Sequence, residues 1–266
     1  MDLATVLGMV LGWGSLLVAL AIEGGSTKDL LNLSAFVLVI GGTIGATMIA
    51  FSYKQMLGMP GVLRNAFFGE SADLPRIIRT IVQFARIARR DGILSLEQEA
   101  NKVDNKFLQT AIQLVVDGTP SEMVREILET EIVSLQERHK IGENVCATMG
   151  GFAPTLGIIG TVMGLINMLS KLEDAASMGP AIAAAFIATL YGVALANLVF
   201  LPLGSKLKAR TAEEILAYDM MLEGVLSIQA GDNPRMVETK LRAFLPPKSR
   251  QESGADGAAK EFRNAA

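Results

Sequence analysis

Three observations predict an all-α polytopic membrane protein, with four transmembrane helices and a helical cytoplasmic domain. Half of the 266 residues are apolar and only 19% are charged, against about 25% charged in an ordinary soluble domain. No Asp, Glu, Lys or Arg occurs in 3–22, 30–53, 144–170 or 175–205, runs of 20, 24, 27 and 31 residues. A bilayer-crossing helix needs about 20 such residues. Basic residues are segregated: twelve lie in 54–143, ten in 206–266, and one in each short loop, Lys28 and Lys171. The net charge of −3 is unremarkable, but the four charge-free runs and a mean hydropathy of +0.39 argue against a soluble enzyme or a nucleic-acid-binding protein.

The first run, Leu3 to Ile22, has no basic residue ahead of it, only Asp2, and Glu23-Gly24-Gly25 after it. It exceeds the about 7–15 apolar residues of a secretory leader and lacks a small-x-small cleavage site, so a retained span is expected. With a second span at 30–51 it makes a membrane hairpin over 1–53. Residues 54–143 form the cytoplasmic domain, 144–205 a second hairpin with spans at about 144–170 and 180–203, and 206–247 a helical tail. The small, polar 248–266 segment is expected to be disordered. The basic residues place the large loop, the tail and the N-terminus in the cytoplasm.

Within the cytoplasmic domain, Ile77, Ile78, Ile81, Phe84, Ala85 and Ala88 recur at helical spacing over Leu74 to Arg90, and Pro75 suits the first turn. Asp91-Gly92 ends that pattern. Ser95 with Gln98, and Thr119 with Glu122, read as capping boxes. The helix begun by the second is expected to run into the third span. In the tail, Leu207, Ile215, Tyr218, Leu222 and Val225 mark one helix. After the turn Asp232-Asn233-Pro234, Met236 to Leu245 marks another.

The third span carries Gly157, Gly160 and Gly164; the fourth carries Ala184, Ala188, Gly192 and Ala196 in an i, i+4 file. Small residues let membrane helices approach closely, so a packed multi-helix assembly is expected. The first two spans, with Leu, Val, Ile and Trp13, look like a lipid-facing outer layer. Pro154 and Pro202 each free a backbone carbonyl, of Gly150 and Leu198, and read as either static kinks or a shared hinge. Thr161 and Thr189 are the most polar residues deep in this hairpin. Their hydroxyls either bond their own helices or line an ion pathway, where oxygen ligands suit a hard cation.

No span contains a carboxylate, lysine, arginine or histidine, although ion pumps and proton relays depend on one. If the protein moves ions, the carboxylate must come from another chain. No phosphate-binding loop, two-histidine zinc motif or Gly-x-Ser-x-Gly elbow occurs. A single cysteine, Cys146, and a single histidine, His139, exclude an intrachain disulfide and multi-Cys or multi-His metal centres. Neither an enzyme nor a cofactor is expected.

The stretch Ala153-Pro154-Thr155-Leu156-Gly157-Ile158-Ile159-Gly160-Thr161-Val162-Met163-Gly164-Leu165 resembles the third span of flagellar stator A subunits, the MotA/PomA family. Ala188-Thr189-Leu190-Tyr191-Gly192 and Phe200-Leu201-Pro202 resemble the fourth. Met1-Asp2-Leu3-Ala4-Thr5, Val116-Asp117-Gly118 and Glu223-Gly224-Val225-Leu226-Ser227-Ile228 also match, so the likeness spans about residues 1–245. The resemblance implies a homopentamer of A chains around two MotB/PomB-like B subunits in the bacterial inner membrane. Each B span would supply an essential aspartate, and ion flow would turn the ring and drive the rotor. It implies that Arg89, Arg90 and Glu97 engage the rotor protein FliG. It also implies that Pro154 and Pro202 couple ion passage to conformational change. Threonine at both 161 and 189, with Tyr191, resembles sodium-type members. Gly151 stands where some of those have aspartate, and proton coupling stays the alternative. The competing readings are an ExbB/TolQ-type energising subunit, a self-contained channel, and a non-conducting scaffold.

Overall fold

The computed structural model describes residues 3–28, 30–68, 73–170 and 175–247. The expected disordered tail at 248–266 and the 171–174 turn lie outside these residues. Every regular element among the described residues is helical. In chain order these are α1 (Leu3–Ile22), α2 (Leu33–Ala50), α3 (Tyr53–Phe68) and α4 (Leu74–Asp91). A 3₁₀ turn (Ile93–Ser95) leads into α5 (Leu96–Ala100) and α6 (Lys106–Val116). Then come α7 (Ser121–Leu169), α8 (Ala175–Leu195), α9 (Leu201–Gln229) and α10 (Pro234–Arg242). Two π turns interrupt the membrane helices: Val37–Gly41 inside α2, and Ala196–Phe200 joining α8 to α9. Four helical stretches are long and apolar enough to cross a membrane.

The chain divides into two compact units. One contains the described residues of 1–70 and 138–210, the other those of 71–137 and 211–266. In the first unit, α1 buries none of its residues. Helix α2 differs. Ala35, Val39, Thr43 and Thr47 form a fully buried file along one face, and the upper part of this file packs with Ala188. The inner face of α2 is thus small and β-branched, while Phe36, Val37, Ile44, Met48 and Ile49 on its other faces stay exposed. Helix α3 also belongs to this unit rather than to the domain expected at 54–143. Its Met59 packs with Val145, Cys146, Leu203 and Leu207, and Val62 fills the space over Gly142.

The second unit is built round a core of Ile81, Phe84, Leu96, Leu108, Ile112, Leu128, Met220, Val225 and Leu241. The Asp73 side chain accepts from the Arg76 N–H and caps α4, whose Pro75 lies in the first turn. Gly92, with φ of +85°, ends α4 in a conformation that favours glycine. Gly224 lets α9 approach α4, since a Cβ there would lie 2.7 Å from the Ile81 side chain. Asn233 caps α10 through the Arg235 N–H.

A capping expectation is also corrected. Ser95 does not form a capping box with Gln98: its hydroxyl donates to the Gly92 carbonyl at 2.6 Å. The 3₁₀ turn leaves Ser95 helical, with φ of −67° and ψ of −16°, instead of the extended geometry that aims a cap oxygen at the next turn. The helix of the fourth span begins at Ala175, and its stretch apolar enough to cross a membrane begins at Met178, near the expected start at about 180.

Candidate functional site

Backbone contact between α7 and α8 makes the site. A Cβ on Gly157 would lie 2.9 Å from the Ala188 carbonyl and 3.1 Å from the Thr189 Cα. One on Gly160 would lie 2.6 Å from the Ala188 Cβ, and one on Gly164 would lie 2.6 Å from the Ala185 Cβ. On α8, Gly192 faces Ala153 and Pro154 in the same way. The row that meets α7 is thus Ala185, Ala188, Thr189 and Gly192. Ala184 is only half-buried, whereas Ala185 is fully buried. A strict i, i+4 file advances about 40° around an α-helix at each step, so it winds off any one contact line. Ala196, the last of the expected file, is buried at the π turn.

This close approach brings the two threonines together. The Thr161 and Thr189 hydroxyls are directly hydrogen-bonded to each other. Thr161 Oγ1 also lies 3.2 Å from the Gly157 carbonyl and 3.0 Å from that of Ala185. Thr189 Oγ1 lies 3.3 Å from the Gly157 carbonyl. Two hydroxyls and two carbonyls therefore converge where two helices share no intervening side chain. A Thr hydroxyl has one proton and two lone pairs, so this group can present several oxygens to a cation. Thr161 therefore bonds its own helix and also crosses to the next.

The prolines sit at the same contact. Pro154 is half-buried, its Cα 3.1 Å from where a Cβ on Gly192 would stand. Pro202 is exposed and lies two residues past the π turn, where the Leu201 N–H bonds to the Ala196 carbonyl five residues back. The Leu201 side chain rests on Gly150, one turn before Pro154. The two proline segments thus meet through a leucine lodged on a glycine.

Arg89, Arg90 and Glu97 lie in the second unit, all exposed. Arg89 and Arg90 occupy the last turn of α4, where cations are favoured. Glu97 occupies the first turn of α5. Arg90 folds onto Asp91 through three hydrogen bonds of 2.8–3.0 Å. That hydrogen bonding, with the attraction between the charges, raises Arg90 and pulls the Asp91 carboxyl below its usual range. Arg89 and Glu97 make no such pair among the described residues.

Two polar features have no counterpart in the motif reading. Thr43 donates to the Val39 carbonyl at 2.5 Å, and Thr47 to the Thr43 carbonyl at 2.7 Å, both fully buried on α2. Tyr191 donates its hydroxyl to the Leu30 carbonyl and accepts from the Asn32 N–H at 3.3 Å. The i, i+4 spacing of Ala35, Val39, Thr43 and Thr47 was a usable signal for the first. Nothing local in sequence signals the second.

The described residues are all-helical with four stretches long and apolar enough to cross a membrane, and residues 99–220 match the MotA/TolQ/ExbB proton channel family. The chain is 36% identical to motility protein A of Bacillus subtilis over 260 residues, 97% of this chain and 96% of that one. It is 37% identical to the chemotaxis protein PomA of Vibrio alginolyticus, covering 92% and 96%. Among solved structures it is similar to C. jejuni MotAB, with a TM-score of 0.89 and 36% identity over 93% of this chain and 97% of that one. The MotAB stator complex of Bacillus subtilis is similar at a TM-score of 0.88 and 35% identity, covering 94% and 98%. The chain belongs to this family, as a membrane-embedded flagellar stator subunit of the motility protein A and PomA type.

Proposed function

We propose that this chain assembles as a homopentamer around two MotB/PomB-like B subunits. In that unit it conducts Na⁺ past Thr161 and Thr189 and delivers torque to the rotor protein FliG through Arg89, Arg90 and Glu97. The observation that carries the sodium reading is the convergence of both hydroxyls with the Gly157 and Ala185 carbonyls. Na⁺ leaving water needs several replacement oxygens, whereas a proton needs a carboxylate and a water path. The spans contain no carboxylate of their own, which supports a partner that brings one. MotAB is the assembly of the two similar solved structures.

The basic residues of 54–143 and 206–266 support a cytoplasmic side for both termini. Each charge crossing the membrane releases about 2.3 kcal/mol per 100 mV, enough to bias a step between two similar packings. Pro154 and Pro202, joined through Gly150 and Leu201, are the hinge across which that step acts. The test is swimming speed against external sodium at fixed membrane potential. Speed that rises with sodium and saturates supports sodium coupling. Full speed in sodium-free medium, unchanged by added sodium, replaces it with the proton reading and leaves the stator function intact.

A further inference from the structure

Helix α8 is gripped from two sides. One side faces α7 through Ala185, Thr189 and Gly192. The other faces α2, where Ile187, Tyr191 and Leu195 pack with Ala35 and Val39, and Ala188 lies between the two sides, touching both. Thr189 and Tyr191, two residues apart, point about 200° apart around the helix axis. Apart from the threonine hydrogen bonds whose alignment is at stake, the contacts to α7 are between glycine and alanine surfaces, which constrain distance well and rotation poorly.

The Tyr191 hydroxyl is different in kind. It donates to the Leu30 carbonyl and accepts from the Asn32 N–H, so it brackets the two-residue approach to α2. That approach is itself fixed, because the Asn32 side chain accepts from the Ala35 N–H at 3.0 Å and from the Ser34 hydroxyl at 2.7 Å. Hydrogen bonds are directional, and backbone groups outside a helix at membrane depth require such partners. We propose that the Tyr191 hydroxyl sets the rotation of α8 about its axis and thereby holds the Thr189 hydroxyl against Thr161. Tyr191 is then a positioning residue for the ion pathway. It touches no ion and acts only through Thr189. Its functional consequence rests on the sodium reading above, while its geometric content does not. A rotation of about 30° would move an atom ~4 Å from the axis by ~2 Å, enough to separate the two hydroxyls.

The test uses the assembled stator in membranes, with Cys146→Ala removing the only thiol. Thr161→Cys with Thr189→Cys is oxidised mildly, and intrachain disulfide is followed by loss of maleimide labelling, with and without Tyr191→Phe. The phenylalanine variant keeps the ring and removes both hydrogen bonds, so disulfide formation should slow about three- to tenfold. An unchanged rate overturns the inference. In the same membranes, with the threonines intact, Tyr191→Phe should raise the half-saturating sodium for rotation at least about threefold. This rise should exceed any change in maximal speed. The rise should disappear in a Thr189→Ala background, since the two residues act in series. A rise of equal size in that background overturns the inference. A wild type insensitive to sodium instead removes the sodium reading, and the disulfide rate then decides the positioning role alone.

Discussion

Gly192 and Ala153 meet with no room between them: a Cβ on the glycine would fall against the Ala153 carbonyl oxygen, and 3.1 Å from the Pro154 Cα. Backbone cannot yield as a flexible side chain can. Gly192→Ala should therefore force α7 and α8 apart, at a cost of about 1–3 kcal/mol, and Gly192→Leu or Ala188→Leu should prevent assembly. Gly151 is the control, because a Cβ there meets nothing within 4 Å. Size in native-like nanodiscs distinguishes the variants. An intact oligomer of normal thermal stability for Gly192→Ala would show that this contact does not govern packing.

The exposed charges separate into two kinds. Arg90 is folded onto Asp91, so its charge is largely answered locally. Arg89 and Glu97 present theirs outward. Reversing Arg89 or Glu97 should lower torque by more than reversing Arg90, with ion conduction and assembly preserved. A complementary reversal on FliG should restore motility, since exposed charge pairs govern recognition more than stability. Bead assays at stall torque measure this. Equal torque in wild type, Arg89→Glu and Glu97→Lys would remove these residues from the rotor contact.

Asp219 predicts a pH dependence of definite sign. Burial, with the nearby Glu129 carboxylate, raises its pKa above the ordinary 3.8. A carboxylate raised in the folded state costs stability when ionised. The cost is fully present above the folded pKa and fades as pH falls through it. Asp219→Asn should thus stabilise the protein at neutral pH, by less than about 1 kcal/mol because solvent screens a part-exposed group. The gain should shrink as pH is lowered toward 4. Thermal unfolding at stepped pH values checks this, and a gain that grows on acidification contradicts it.

The same i, i+4 pattern occurs in two membrane helices and ends differently in each. Along α2, Ala35, Val39, Thr43 and Thr47 stay buried over twelve residues. In an unbroken α-helix they would wind by about 120°. The π turn at Val37–Gly41 holds one extra residue, which sets the file back by about 100° and keeps it on one face. No such turn lies between Ala184 and Gly192, and there the contact line passes to Ala185. Spans and small-residue helices were legible because they follow from composition and period. The π turns were not, because underwinding is imposed by packing, here Leu38 against Gly160 and Leu198 against Gly12. The Tyr191 anchor was illegible for a similar reason. Its partners are backbone groups about 160 residues away in sequence, and backbone groups leave no mark in the side-chain pattern.

The threonine pair itself yields the last prediction. Thr161 touches three oxygens, those of Gly157, Ala185 and Thr189, whereas Thr189 touches two, those of Gly157 and Thr161. Removing either hydroxyl leaves the Gly157 and Ala185 carbonyls bonded in their helices, so neither variant should unfold the hairpin. Thr161→Ala and Thr189→Ala should therefore form the same oligomer as wild type while sodium-driven rotation falls. Losing one good oxygen ligand should raise half-saturating sodium by about tenfold, the equivalent of ~1.4 kcal/mol. Serine keeps the hydroxyl and loses only a methyl group, so Thr161→Ser and Thr189→Ser should recover most of the response. The double alanine variant should fall short of the product of the two single effects, because the hydroxyls bond each other and act as a unit. Rotation measured in tethered cells over a sodium series at fixed membrane potential gives all five values. Alanine variants with wild-type sodium dependence would show that this oxygen cluster packs the helices and binds no cation.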